Sequence, residues 1–253
     1  MREMSVLAFA LLLGCPEPST PAPAPLPATP SPSEAPERVE LPAELPTPAD
    51  QPSTEDCTPV PPPPGLVDLR ATLPTAIFVV GYHHADNFTG APLPGYEAPG
   101  AWLETEAAAA LAKAAARLER DGLRLIIHDA YRPRRATQAM VAWCRANDRE
   151  DLLSEGWVAE RSAHNRGRAI DLSLADGQGR ALDMGSGWDE FSPRSEVYAV
   201  DGEARERRLQ LRAAMVHAGF TPYAREWWHF GYESDSPAPA RDLPYVCQSQ
   251  PLL

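Results

Sequence analysis

The stretch "SAHNRGRAIDLSL", residues 162–174, places His164 and Asp171 seven residues apart, with Gly167 between them. Its second half, "RAIDLSL" at 168–174, alternates apolar and polar side chains, and this period of two predicts a strand with one apolar face. Asp171 is therefore expected to point away from the core side of that strand. The glycine permits a tight turn between the histidine and the aspartate, so both are candidate ligands of one metal ion.

A second short stretch, "EWWHF" at 226–230, adds Glu226 and His229. Zinc in a hydrolase usually takes three protein ligands, with histidine nitrogen and carboxylate oxygen as typical donors, and keeps a fourth position for water. His164, Asp171 and His229 would supply such a set, although the familiar helical H-E-x-x-H pattern is absent. A regular strand would send Glu226 and His229 to opposite faces, so a turn or bulge is expected between them.

The elements around these two stretches mix helices and short strands, which suggests an α+β domain with a largely antiparallel central sheet flanked by helices. The patterns predict helices at 105–122, 132–147 and 203–220 and strands at 123–132, 168–174 and 226–232. The apolar side of the third helix is expected to include Leu209, Leu211, Met215 and Val216.

The N-terminal segment, residues 1–14, puts one arginine ahead of an apolar run that is too short to span a hydrocarbon core of about 30 Å. It predicts an export signal. The "LLGC" at its end resembles the lipobox of bacterial lipoproteins, which implies that Cys15 carries a lipid and anchors the chain to a bacterial membrane, facing the periplasm or cell wall. The alternative is an ordinary signal peptide that happens to hold a cysteine.

Residues 15–64 are rich in proline, alanine, serine, threonine and glutamate and predict a disordered tether. Residues 65–253 are then long enough for one domain with a substantial core. The tether holds eight acidic residues against one arginine, so the rest of the chain carries only about −5 of the net charge of −12. A mildly acidic domain without a basic stripe argues against nucleic acid as a partner.

Two of the four cysteines, Cys57 and Cys247, flank the predicted domain at its two ends. Export implies an oxidising compartment, and chain termini often lie close together on a domain surface. We therefore hypothesise a disulfide between Cys57 and Cys247. Cys144 lies in a helical pattern and is expected to be a small core residue.

The order of the two opening stretches resembles the zinc D-alanyl-D-alanine peptidases that share a fold with the hedgehog signalling domain. In that superfamily the patterns are S-x-H-x-x-G-x-A-x-D and E-x-x-H. Further stretches resemble the D-Ala-D-Ala dipeptidase family known from vancomycin resistance, and these lie at 82–96, 129–136, 182–191 and 219–230. The resemblance runs from about residue 67 to residue 232, nearly the whole predicted domain.

This resemblance implies one zinc ion per domain, held by His164, Asp171 and His229. It implies that Glu226 is the general base that takes a proton from the attacking water and later passes one to the leaving amine. It also implies that Arg132 hydrogen-bonds the oxyanion that develops during the reaction.

The resemblance further implies a small D,D-dipeptide substrate that is contacted by Asp189, Ser162, Tyr82 and Tyr96. Asp189 would meet the free ammonium of the substrate. A buried aspartate in this role rejects a substrate whose nitrogen is acylated, because its carboxylate would be left unpaired. The expected activity is therefore hydrolysis of the free dipeptide in cell-wall peptide turnover.

Two other functions stay open at this stage. One is a zinc D,D- or L,D-carboxypeptidase that acts on peptidoglycan stem peptides, which the long tether would favour and Asp189 would oppose. The other is a zinc-stabilised wall-binding module without turnover. The presence of both Glu226 and Arg132 argues against a binding module, because a structural zinc site needs neither.

Overall fold

A computed structural model describes residues 59–248 of the chain. The predicted export signal, Cys15, the tether up to residue 58 and Cys57 lie outside the described residues. Within residues 59–248, no helix has the length and apolar character needed to cross a membrane.

The described chain contains seven short strands and five helices. The strands are β1 (Leu66–Asp68), β2 (Ile77–Phe78), β3 (Trp102–Glu104), β4 (Arg124–Asp129), β5 (Ala169–Ala175), β6 (Phe220–Pro222) and β7 (His229–Tyr232). The helices are α1 (Leu69–Thr72), α2 (Thr105–Arg120), α3 (Arg134–Ala146), α4 (Glu150–Ser154) and α5 (Gly202–His217). Three single 3₁₀ turns lie at Gly81–His83, Ala163–Arg166 and Pro193–Ser195.

Five of the strands form one sheet in the order β2-β4-β5-β7-β6. Only the β2–β4 pair is parallel, and the pairs β4–β5, β5–β7 and β6–β7 are antiparallel. Strands β1 and β3 form a separate antiparallel pair. The predicted α+β fold with a largely antiparallel central sheet is confirmed.

The main core lies between this sheet and the two long helices, α2 and α5. Helix α2 is alanine-rich, and the Glu104 side chain caps its start by accepting hydrogen bonds from the N–H groups of Glu106 and Ala107. Small alanines let the helix approach the sheet closely. On β5, Ile170, Leu172 and Leu174 are fully buried in this core, as the alternating pattern predicts.

A second cluster packs α3 and α4 against aromatic side chains from the connecting loops. Tyr82, Trp102, Tyr131 and Tyr245 are among its buried members, and Cys144 of α3 is buried with them as a free cysteine. The burial of Cys144 confirms the expectation that it is a core residue. The cluster also supports one side of the pocket described below.

Two expectations need correction. The last strand begins at His229 and not at residue 226, because residues 226–228 form a turn before β7. On α5, Val216 is 44% exposed, whereas Arg208 is fully buried. The apolar pattern misplaced Val216 because the inward face of this helix runs through Arg208, Leu211 and Met215.

The two ends of the described chain meet. Pro59 and Cys247 form an isolated antiparallel bridge, and the N–H of Val60 donates to the Val246 carbonyl at 2.9 Å. Cys247 takes part in a disulfide bond. Because Cys57 lies outside the described residues, its pairing with Cys247 stays a prediction.

Candidate active site

The register of the sheet brings two candidate residues and one further acid together at one end. Asp171 of β5 is paired directly with His229 of β7 on one side and with Asp129 of β4 on the other. An irregularity in β4 between Ile127 and Asp129 shifts the register there. Asp171 and Asp129 are both buried, so this end of the sheet is a sheltered polar site.

The turn Ala163–Arg166 delivers the second histidine to the same place. The Ser162 hydroxyl caps the turn by accepting a hydrogen bond from the His164 N–H at 3.2 Å. Gly167 ends the turn with a φ of +71°. A Cβ at this position would lie 2.7 Å from Leu66 Cδ2 and 3.0 Å from the backbone nitrogen of Glu104, so both conformation and space favour glycine.

Nδ1 of His164 donates to the Ala130 carbonyl at 2.6 Å. The proton on Nδ1 leaves Nε2 as the lone-pair nitrogen, and Nε2 faces Nδ1 of His229 at 3.2 Å. Oδ1 of Asp171 lies 2.9 Å from that same His229 nitrogen and 3.4 Å from His164 Nε2.

These separations fit a single metal ion. Two ligands that are each about 2.0–2.1 Å from a tetrahedral zinc lie roughly 3.3 Å apart, close to the observed distances. The ligand atoms of His164, Asp171 and His229 all lie within 4.8 Å of one another. Two imidazoles and one carboxylate are also the donor types that zinc prefers in hydrolases.

The pKa values at this centre follow from burial and from close contacts. Burial lowers the pKa of His229, which keeps its imidazole neutral and able to bind a metal. Burial alone would raise the pKa of Asp171, but its contacts with His164 and His229 outweigh that effect and hold the pKa well below its usual range. Asp171 is therefore ionised and able to bind a metal ion.

Glu226 lies in the turn before β7, as the spacing of Glu226 and His229 required. The His229 N–H donates to the Glu226 carbonyl at 3.3 Å, and the Glu226 carboxylate lies 3.9 Å from Nδ1 of His229. Glu226 is 7% exposed, and Trp227 and Trp228 beside it are buried in the core. Burial, together with the charges of Asp171 and Asp189, raises the pKa of Glu226 well above its usual range.

Arg132 lies in the same wall of the site, and its guanidinium contacts three neighbouring side chains. Its Nε donates to Asp129 Oδ2 at 2.9 Å, Nη2 lies 3.5 Å from Asp171 Oδ2, and Nη1 contacts Met140 Sδ at 3.4 Å. Asp129 also accepts a hydrogen bond from Tyr96 at 2.5 Å. The thioether is a weak acceptor, so Nη1 keeps hydrogen-bonding capacity for an incoming oxyanion.

Asp189 faces the site from the segment between β5 and α5. It adopts a φ of +56°, a left-handed conformation that aspartate tolerates better than most residues. The Tyr82 hydroxyl donates to Asp189 Oδ2 at 2.6 Å, and the Tyr82 ring lies 5.0 Å from the Arg132 guanidinium carbon. Burial and the charge of Asp171 raise the pKa of Asp189 to about 8.

One cavity of about 360 Å³ unites these groups. This volume lies near the lower end of the range of roughly 300–1,000 Å³ that is usual for small-molecule sites. Of the predicted site residues, those that line it are His164, Asp171, His229, Glu226, Arg132, Asp189, Tyr82 and Ser162. Apolar side chains that include Met140, Val158, Phe191 and Trp228 complete the wall and limit access of water.

Tyr96 is the exception among the predicted pocket residues. It lies outside the cavity wall, in the aromatic cluster behind Asp129. Its hydroxyl is used by Asp129, so Tyr96 supports the carboxylate that holds Arg132. Asp129 is not among the residues predicted from the sequence, although the D-x-x-R spacing in "DAYR" is a local signal for it.

A buried histidine, a partly exposed histidine, an aspartate, a glutamate and an arginine around one small cavity define the site of a metal-dependent hydrolase. The family model described as D-ala-D-ala dipeptidase matches residues 63–248, and the chain belongs to that family.

Curated relatives agree with this assignment. A D-alanyl-D-alanine dipeptidase of Escherichia coli K12 is 41% identical over 167 residues, which cover 65% of this chain and 83% of the relative. One from Enterococcus faecium is 37% identical over 163 residues, covering 57% and 80%. Among solved structures, VanYB in complex with D-Alanine-D-Alanine is similar at 19% identity with a TM-score of 0.37, covering 53% of this chain and 72% of that one.

Proposed function

We propose that the protein is a zinc-dependent dipeptidase that hydrolyses D-Ala-D-Ala to D-alanine, with one zinc ion per domain. One observation carries this proposal. A single small cavity joins a metal-ligand trio to a buried carboxylate, an arginine and a second carboxylate, Asp189, that forms no ion pair with any residue in 59–248. Such a cavity suits a small substrate with a positive end and a hydrolysable bond.

The three acidic side chains of the cavity support a cationic substrate as well as a metal, because a bound cation favours the ionised form of a carboxyl group whose pKa is raised. Asp171, Asp189 and Glu226 all line it, and Arg132 is the cation closest to them. A zinc ion held by the trio would polarise the scissile carbonyl and lower the pKa of a water molecule. Asp189 remains as the group that receives the substrate ammonium.

The protein's own groups would perform the remaining steps. Glu226 accepts a proton from the attacking water and delivers it to the leaving amine, a task suited to a carboxyl group whose pKa is raised. Arg132 donates to the developing oxyanion, and Asp129 holds it in place. The apolar wall excludes water, which strengthens both interactions.

Two substitutions test this mechanism. Glu226→Ala is expected to keep zinc and lose activity by at least 100-fold, because the proton acceptor is removed and the ligands stay. His164→Ala is expected to lose both zinc and activity. Metal content by atomic absorption and hydrolysis of D-Ala-D-Ala measure the two effects, and equal activity in Glu226→Ala and the parent would refute the mechanism.

We further propose that the enzyme is exported and lipid-anchored through Cys15, so that its substrate is dipeptide released during cell-wall turnover. The sequence of residues 1–15 supports this proposal. The change Cys15→Ser is expected to move the protein from the membrane fraction to the soluble fraction of a bacterial host. Retention of Cys15→Ser in washed membranes would count against lipid attachment at this cysteine.

A further inference from the structure

Arg208 of α5 is an arginine with 0% exposure that forms no ion pair with any carboxylate among residues 59–248. Burying a guanidinium costs free energy unless its donors find hydrogen-bond partners. The partners of Arg208 therefore indicate its role in the fold. Burial lowers the pKa of Arg208 to about 10, which still leaves it charged at neutral pH.

All the hydrogen bonds of Arg208 go to one segment, residues 184–196. Nε donates to the Met184 carbonyl at 2.6 Å, and Nη1 donates to the carbonyls of Arg194 and Glu196 at 2.8 and 2.7 Å. Nη2 donates to the Ser186 hydroxyl at 3.0 Å. The guanidinium therefore joins both ends of a segment whose middle carries Asp189.

The same hydroxyl links that segment to the turn of the general base. Nε1 of Trp227 also donates to Ser186 Oγ, at 2.9 Å, and the Trp227 N–H donates to the Ser195 carbonyl at 2.9 Å. The Arg208 guanidinium carbon lies 5.4 Å from the Trp227 ring centroid. Trp227 directly follows Glu226, so Arg208 connects the segment of Asp189 to the residue beside the base.

We propose that Arg208 is a positioning residue for substrate recognition, which fixes the 184–196 segment so that Asp189 faces the metal centre and Glu226. The inference rests on the proposed function, because it assigns Asp189 to the substrate ammonium. A planar guanidinium with five donors suits this role, since three carbonyls and a hydroxyl converge on it from different directions. Lysine keeps the charge but cannot reproduce that pattern of donors.

The test compares Arg208→Lys with Arg205→Lys in the full chain loaded with zinc. Arg205 lies one turn earlier on α5 and contacts Asp201 and Tyr198, outside the 184–196 segment. Each change is made in a Glu226→Gln background, and calorimetry measures the Kd of free D-Ala-D-Ala. Zinc content and thermal unfolding are measured on the same samples.

Arg208→Lys is expected to raise the Kd on the order of tenfold or more while zinc content stays at the level of the background protein, because a displacement of about 1 Å at such a site has large effects. Arg205→Lys is expected to leave the Kd unchanged. An unchanged Kd in Arg208→Lys overturns the proposal, whatever happens to the melting temperature, because a purely structural role changes only the amount of folded protein.

Two further results keep the proposal testable. If Arg208→Lys does not fold, Ser186→Ala replaces it, since this change removes the hydroxyl shared by Arg208 and Trp227. A Kd raised about threefold in Ser186→Ala supports the proposal, and an unchanged Kd overturns it. If the Glu226→Gln protein itself binds no free dipeptide, the proposed function fails first and the inference falls with it. That result is visible before any Arg208 variant is measured.

Discussion

Asp189 lies in an unfavourable setting in the pocket wall. Its backbone has a left-handed φ, its hydrogen bond comes from a neutral tyrosine hydroxyl, and burial raises its pKa to about 8. Strain and desolvation of this kind concentrate at functional sites, where a ligand supplies the missing partner. An ammonium ion is the partner that would ionise this carboxyl group and pair with it.

Replacement of Asp189 by asparagine should therefore alter specificity more than fold. For Asp189→Asn, we expect kcat/KM for free D-Ala-D-Ala to fall about 10- to 100-fold, the effect of losing a hydrogen bond between charged groups. Hydrolysis of the N-acetylated dipeptide should change by less than about threefold, because that substrate offers no charge to pair. Steady-state kinetics on both substrates measures the difference.

The matched control is Asp183→Asn, since Asp183 is an exposed acid directly before the 184–196 segment and accepts a hydrogen bond from the Gly185 N–H. Asparagine can keep that bond, so no change in kinetics is expected. Equal losses on both substrates in Asp189→Asn would mean that Asp189 acts on the reaction itself and not on the substrate ammonium.

Single residues also show what the sequence could predict. The trio His164, Asp171 and His229 was predicted through a motif, because the tight turn at Gly167 and the turn before His229 are local features. Asp129 was not, because its place beside Asp171 depends on the shifted pairing of β4 with β5. No local pattern carries that information.

Among the elements, the long ones could be predicted and the short ones could not. Helices α2, α3 and α5 and strands β4 and β5 have enough residues to show a period. Strands β1, β2, β3 and β6 have two or three residues each, and pairing partners far along the chain determine them. The burial of Arg208 has the same cause, because the segment that satisfies it lies outside its helix.

The pairing of β4 with β5 contains a buried histidine, and we expect it to make the stability of the fold depend on pH. His128 of β4 shares a hydrogen bond with the Ser173 hydroxyl of β5 at 2.9 Å, and its ring stacks on Trp188 at 5.2 Å. Burial lowers the pKa of His128 to about 4. The unfolded chain therefore binds a proton more readily than the folded protein between about pH 6.5 and pH 4.

The contribution of neutral His128 to the free energy of unfolding is therefore complete above about pH 6.5 and is lost as the pH falls toward 4. The change His128→Gln keeps a polar group for Ser173 and removes the titration. Between pH 7 and 4.5, we expect the parent to lose about 2 to 3 kcal/mol more of its free energy of unfolding than His128→Gln. Urea denaturation across this range measures the difference.

His217→Gln is the control for that series, because His217 is exposed at the end of α5. The free energy of unfolding of the His217→Gln protein should change with pH as that of the parent does. A constant difference between the parent and His128→Gln from pH 7 to 4.5 would show that His128 is not kept neutral by burial.

At the scale of the whole domain, the bridge of Pro59 and Cys247 links the two ends of the described residues 59–248. If Cys57 pairs with Cys247, the disulfide closes a loop of nearly the whole domain, which would stabilise the fold by about 4 to 5 kcal/mol on the chain-entropy model. Thiol titration of unreduced, denatured protein that begins after Cys15 should then find one thiol, Cys144. Three thiols would refute the pairing, and Cys57→Ser should lower the melting temperature.

The central claim concerns the whole enzyme: a metal centre and an ammonium-binding carboxylate share one small cavity. The most direct measurement compares hydrolysis of free D-Ala-D-Ala, N-acetyl-D-Ala-D-Ala and a stem pentapeptide that ends in D-Ala-D-Ala by the zinc-loaded protein. We expect kcat/KM for the free dipeptide to exceed the other two by at least about 100-fold, since only a free ammonium can ionise the buried carboxyl group of Asp189 and pair with it. Faster cleavage of the blocked or longer peptide would contradict the account and identify a carboxypeptidase that acts on the wall itself.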